Sequence, residues 1–246
     1  MDQKNILKKH KVEVCVTLAE RYNRIVSDLK ASCKVAQRAS EDVTIIAVSK
    51  TVDIDSVQEA IEAGIHDFGE NRPQELARKY EAFPNEKWHF IGNIQSRQLK
   101  EIVGRAYLIH SVCKVSHLEK INRLAHEMGI IQDILLEVHN GEPAKQGIDP
   151  HEITNILDQI ASFEHINVRG LMIMAPIGKE HAQKTFSMCE QLFKDAQQYA
   201  HINGYTNMKH FHELSMGMSD DYLVAIPCGT TMVRIGRAIF SDTYDQ

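Results

Sequence analysis

The chain has no apolar run approaching the length of a membrane-spanning helix, and Met1 to Val16 is too charged to form the apolar core of a signal peptide. Cysteine is sparse and shows no pairing pattern. Cys15, Cys33, Cys113, Cys189 and Cys228 are odd in number, scattered, and never spaced Cys-x-x-Cys. Free thiols in a reducing, cytoplasmic setting are the expectation. Positive charge is also short: 28 Lys and Arg face 33 Asp and Glu, and the net charge of −5 gives no general reason to expect nucleic-acid binding. No Gly-x-Gly-x-x-Gly follows the first strand pattern, and there is no Gly-x-Ser-x-Gly elbow or Gly-Lys-Ser/Thr phosphate loop. The usual dinucleotide, serine-hydrolase and nucleotide readings fall away with them.

What remains is an ordinary globular composition, 43% hydrophobic and 25% charged, over 246 residues, a length that one α/β barrel domain fills. Residues 5–39 carry apolar positions at helical spacing, Leu18, Tyr22, Ile25, Val26 and Leu29 among them, and contain neither Pro nor Gly. They predict one or two long amphipathic helices. Strand patterns then recur at 43–50, 66–69, 88–92, 106–112, 134–138, 168–174, 210–215 and 232–239. A further helix begins near Asp53 and Asp55, as capping candidates, and closes at Gly64; others are expected at 72–82, 95–104, 114–129, 150–162 and 179–202. Only the connection 219–227 is short. Strand and helix in alternation imply parallel strands with right-handed crossovers, and eight such units imply a closed (β/α)₈ barrel in a single domain. An open doubly wound sheet is the alternative. The N-terminal helix is expected to cover the last strand from outside.

Binding sites of such barrels lie at the carboxyl ends of the strands. The first strand pattern, Thr44 to Val48, ends in Ser49-Lys50. A lysine there can be partly desolvated, which lowers its pKa and frees the amine to attack a carbonyl carbon. Polar residues and glycines gather at the other ends: Gly69-Glu70-Asn71, Gly92-Asn93-Ile94-Gln95, Ser215-Met216-Gly217-Met218-Ser219 and Gly236-Arg237. The loops after strands seven and eight are the usual phosphate site of the fold. Ser215 offers a hydroxyl, Gly217 and Gly236 admit close backbone, and Arg234 and Arg237 add positive charge. With Lys50 across the barrel mouth, these residues suggest a phosphorylated carbonyl compound held at one end by its phosphate and at the other by an imine. His210 and His212, in a strand-like alternation, read as structural rather than metal-binding. Cys228 reads as a packed thiol, and Met172 and Met174 as barrel packing with one of them near a ligand ring.

Several segments together, Ala47-Val48-Ser49-Lys50-Thr51, Phe68-Gly69-Glu70-Asn71, Trp88-His89-Phe90-Ile91-Gly92, Gly170-Leu171-Met172, Leu214 to Asp220 and Val233-Arg234-Ile235-Gly236, resemble the pyridoxal-phosphate homeostasis protein family. The motifs run from the first strand to the last. The resemblance implies an alanine-racemase-like barrel that binds pyridoxal 5′-phosphate (PLP), has no established turnover, and acts in vitamin B6 and amino-acid balance. It makes Lys50 the Schiff-base lysine, carrying PLP as an internal aldimine. It assigns Ser215 and the Gly217 backbone to one side of the phosphate cradle and Gly236 and Arg237 to the other, Arg234 to the pyridine nitrogen, and Asn71 to the ring, where Met172 is the methionine taken as a cofactor contact. Arg97-Gln98, Ser241 and Thr51-Val52-Asp53 depart from the family pattern. They are placed outside the cofactor contacts, where they bear on a partner or regulatory surface.

Two other functions compete. An amino-acid racemase needs a second base opposite the lysine, which racemases of this type take from an additional β domain, and after strand eight this chain runs only to Gln246. A cofactor-free lysine aldolase needs the imine lysine but not Arg234. We expect a monomer with PLP and amino acids as small-molecule partners, no metal, no nucleic acid and no membrane.

Overall fold

Thr44–Val48 (β1) shows how the fold is built: Ile46 turns inward to a small cluster inside the barrel with Leu108, Leu135, Met172 and Met232, while Ala47 turns outward to the helices. A strand buried on both faces reads as a continuous apolar run, and this alternation repeats around the sheet. The computed structural model describes residues 16–244. Seven more strands follow: Asp67–Glu70 (β2), Lys87–Phe90 (β3), Leu108–Val112 (β4), Gln132–Glu137 (β5), Ile166–Met172 (β6), Glu213–Met218 (β7) and Met232–Ile235 (β8). Each pairs in parallel with its neighbour in sequence, and β8 pairs with β1, so the barrel closes in the order β1 to β8. All eight expected strands are present, and the open-sheet alternative is excluded.

Outside the barrel lie Leu18–Val35 (α1), Ile54–Glu62 (α2), Pro73–Ala82 (α3), Leu99–Ile102 (α4), Val115–Met128 (α5), Ile153–Ile160 (α6) and Lys179–Ile202 (α7). Asp53 caps α2, its carboxylate accepting from the Ser56 N–H at 2.9 Å, and Gly64 follows with φ +88°. Two short helices, Tyr222–Ala225 (α8) and Arg237–Phe240 (α9), complete the layer among the described residues. Of the expected N-terminal helices, residues 5–15 lie outside the described residues. The rest is α1, opened by a Thr17–Glu20 capping box and burying Leu18, Ile25, Leu29 and Cys33 along one stripe. It covers the β8 sector as expected: Arg21 Nε donates to the Ile239 carbonyl at 2.7 Å, and just past the helix the Arg38 guanidinium donates to the Ile226 and Thr230 carbonyls.

Three expectations shift. The seventh strand begins at Glu213 instead of His210, because a 3-10 turn at Thr206–Met208 and the Gln197-to-Phe211 hydrogen bond hold the preceding segment out of the sheet. The eighth ends at Ile235, since the chain turns at Gly236 into α9. The connection 219–227, expected only to be short, holds α8. His210 and His212 accordingly lie before β7 and exposed, and no metal-binding cluster is found among the described residues.

Candidate ligand site at the barrel mouth

A cleft of about 1060 Å³ opens at the carboxyl ends of the strands. Its lysine is placed by what lies underneath. Lys79, on α3, is fully buried and donates from Nζ to the Ser49 carbonyl and to Glu70 Oε1, both at 2.6 Å; Ser49 Oγ donates to the same oxygen at 2.6 Å. This clamp fixes the residue before Lys50, and the Val52 N–H closes a turn on the Ser49 carbonyl at 3.1 Å. Lys50 is left exposed on the cleft wall. Because β8 pairs with β1, the lysine sits beside the β8 loop and not across the mouth from it.

Asn71 follows β2. Its Oδ1 is buried without a hydrogen-bond partner, so one end of the amide is left for a ligand. Gly92, at the end of β3, must be glycine, because a Cβ there would lie 2.1 Å from the Asn71 carbonyl. The β2 and β3 loops therefore pack backbone to backbone to form this wall.

On β8, Arg234 is 4% exposed and donates from Nη1 to Ser215 Oγ at 2.6 Å and from Nη2 to the Ile173 carbonyl at 3.0 Å. Burial pulls its pKa down to about 10, opposed by the nearby carboxylates of Asp221 and Glu137, so it remains a cation at neutral pH. Two of five N–H donors are used, and the side chain borders the cleft. Past Gly236, Arg237 pairs with Asp220, which also accepts from Tyr244 Oη at 2.7 Å. The tyrosine hydroxyl and the arginine together hold the Asp220 carboxyl below its ordinary range.

Of the residues singled out in the sequence, Lys50, Asn71, Met172, Arg234, Gly236 and Arg237 line this one cleft. Ser215 and Gly217 do not. Ser215 is fully buried below the cleft on Arg234, and Gly217, at φ +95°, abuts α8, where a Cβ would meet Tyr222 and Ala225 at 2.9 Å. The strand boundary explains the difference: β7 ends at Met218, so Ser219, which does line the cleft, stands at its carboxyl end. The departures Gln98, Ser241, Thr51 and Val52, expected away from the site, also border the cleft. Cys228 is a packed thiol, taking a hydrogen bond from Gln183 at 3.2 Å.

Residues 26–243 match the model of the alanine racemase N-terminal domain family. The chain is 32% identical over 228 residues to a pyridoxal phosphate homeostasis protein of Aquifex aeolicus, covering 91% of this chain and 97% of that protein. It is 30% identical to one of Escherichia coli, covering 91% and 95%. Among solved structures, PipY of Synechococcus elongatus with PLP bound superposes with a TM-score of 0.78 at 32% identity, covering 92% of this chain and all of that one. An alanine racemase of Clostridium difficile, 14% identical with a TM-score of 0.72 and covering 93% of this chain but 59% of its own, shares the fold alone. By sequence over nearly its whole length and by its closed barrel, the chain belongs to the pyridoxal phosphate homeostasis protein family.

Proposed function

We propose that this chain, as a single barrel domain in the cytoplasm, binds PLP in the cleft and serves intracellular PLP and amino-acid balance without catalytic turnover. The carrying observation is that an exposed strand-end lysine, Lys50, and a buried cationic arginine, Arg234, share one cleft on adjacent strands. The cleft fits the group. The unpartnered Asn71 Oδ1 is a polar end that a ligand would satisfy, and the volume stands at the upper end of the range of ligand pockets, about 1,000 Å³. Ser219 and the Gly236-Arg237 turn supply the anion-binding end. The described cysteines are free thiols, and no helix among the described residues is long and apolar enough to cross a membrane.

When bound, PLP supplies an aldehyde that condenses reversibly with amines. Lys50 would hold it through its ε-amine. Arg234, a donor that keeps its own proton, would face the ring nitrogen and leave it unprotonated and poorly electron-withdrawing. Racemisation also needs a second base, and Asp220, the sole acid lining the described cleft, is held by Arg237 and Tyr244. These features favour holding over turnover. Borohydride reduction of the loaded protein followed by peptide mapping should place the pyridoxyl group on Lys50, and Lys50→Ala should lose the visible absorption band. A label on another lysine would overturn the assignment. Multiple-turnover racemisation at about 1 per second or faster, a rate typical of enzymes, would instead favour the racemase reading.

A further inference from the structure

Below the cleft, the barrel interior carries a file of polar side chains where branched aliphatic residues usually dominate. Asp67 opens β2; His89, His110, Ser215 and Arg234 are the third residues of β3, β4, β7 and β8. The two histidines and the serine are fully buried, whereas the Asp67 side chain remains 18% exposed. The contacts are consecutive: Arg234 Nη1 to Ser215 Oγ at 2.6 Å, Ser215 Oγ to His110 Nδ1 at 3.0 Å, His110 Nε2 to His89 Nδ1 at 2.9 Å, and His89 Nε2 to Asp67 Oδ1 at 3.0 Å.

Donor chemistry gives this file one direction. A guanidinium only donates, so Ser215 Oγ accepts from Arg234 and turns its own proton to its other neighbour, His110 Nδ1. That nitrogen must then be unprotonated, which puts the His110 proton on Nε2. His110 Nε2–H meets His89 Nδ1, so the His89 proton also lies on Nε2, where the Asp67 carboxylate accepts it. With both imidazoles neutral, starting from Asp67, which only accepts when ionised, gives the same two tautomers. Burial and the Arg234 cation favour the neutral form of His110.

We propose that His110 is a positioning residue for Arg234, acting through Ser215 within a one-way hydrogen-bond chain that His89 and Asp67 complete. Held by His110, the Ser215 hydroxyl presents its lone pairs to Arg234 and cannot rotate away. The guanidinium is thereby fixed in the one orientation that leaves its remaining donors at the cleft. The chain is a property of the protein itself; what Arg234 faces rests on the PLP reading above.

Two measurements test this. In ¹⁵N-histidine NMR of the full-length protein without added PLP, His89 and His110 should both be neutral and protonated at Nε2. His110 protonated at Nδ1, or at both nitrogens, would overturn the chain. After PLP loading, His110→Phe and Ser215→Ala should each shift the visible absorption band and weaken PLP and unphosphorylated pyridoxal equally, by about tenfold, the scale of one lost hydrogen bond. His110→Asn, whose Oδ1 can accept in place of Nδ1, should restore the wild-type band. An unmoved band in a folded His110→Phe protein would overturn the positioning role. A wild type with the stated tautomers that takes up no PLP would sink the cofactor reading and leave the chain standing.

Discussion

Ser215 and Ser219 stand four residues apart, and the fold gives them different neighbours, one an arginine inside the barrel and the other the open cleft. Ser219→Ala should weaken PLP binding more than pyridoxal binding, by about 1.5–3 kcal/mol for one hydrogen bond to an anion, whereas Ser215→Ala should weaken both alike. Absorbance titrations with the two ligands check this, and the reverse ranking would return the phosphate to Ser215. Glu137, at the end of β5, is a second residue whose setting matters. It is 1% exposed, its Oε2 has no partner, and burial raises its pKa against the pull of Arg234 and His139. A carboxyl whose folded pKa is raised stabilises most when protonated, and that contribution is lost as pH rises through the folded value. Glu137→Gln should therefore be more stable than wild type at neutral pH, with the gain vanishing below about pH 4, where unfolded glutamate is also protonated. Urea melts at the two pH values measure it; a gain of equal size at both would remove the titration argument.

At the scale of elements, α3 reaches into the barrel mouth through Lys79, and its pair with Glu70 is fully buried. Breaking a buried pair from one side leaves an uncompensated charge, at a cost of about 3–5 kcal/mol, while replacing both partners by apolar residues is often neutral. Lys79→Met should cost an amount in that range in urea unfolding. The double change Lys79→Met with Glu70→Leu should recover much of the stability but loosen the Ser49 turn, seen as slower capture of PLP by Lys50. Full stability in Lys79→Met alone would show that the clamp contributes little.

Over the whole molecule, the barrel is closed from outside at β8 by α1, which also touches α9 beside the cleft through the Arg21-to-Ile239 hydrogen bond. Leu29 is 3% exposed on the buried stripe of α1. Leu29→Ala should destabilise the fold by about 2–5 kcal/mol, the range for truncating a buried leucine, read by urea unfolding. Because Leu29 does not border the cleft, PLP affinity of the folded variant should stay close to wild type. A loss of binding with unchanged stability would make α1 part of the site.

Much of this architecture was written locally. Apolar runs buried on both faces, alternating with amphipathic segments and punctuated by residues such as Asp53 and Gly64, determined the barrel class, the strand count and the place of Lys50, because each signal depends on neighbours a few residues away. What only the tertiary structure decided depends on partners far apart in sequence. A start near His210 or at Glu213 is equally compatible with the alternation around β7, and the choice came from Gln197 holding Phe211 out of the sheet. The far end of β7, at Met218 instead of Ser215, is what put Ser215 inside and Ser219 at the rim. The pairing of β8 with β1 set Arg234 beside Ile46, and the His110-to-Ser215 contact joins residues 105 positions apart. No local pattern encodes a buried polar contact of that kind, since its stability comes from burial and from donors and acceptors that meet only when the sheet closes.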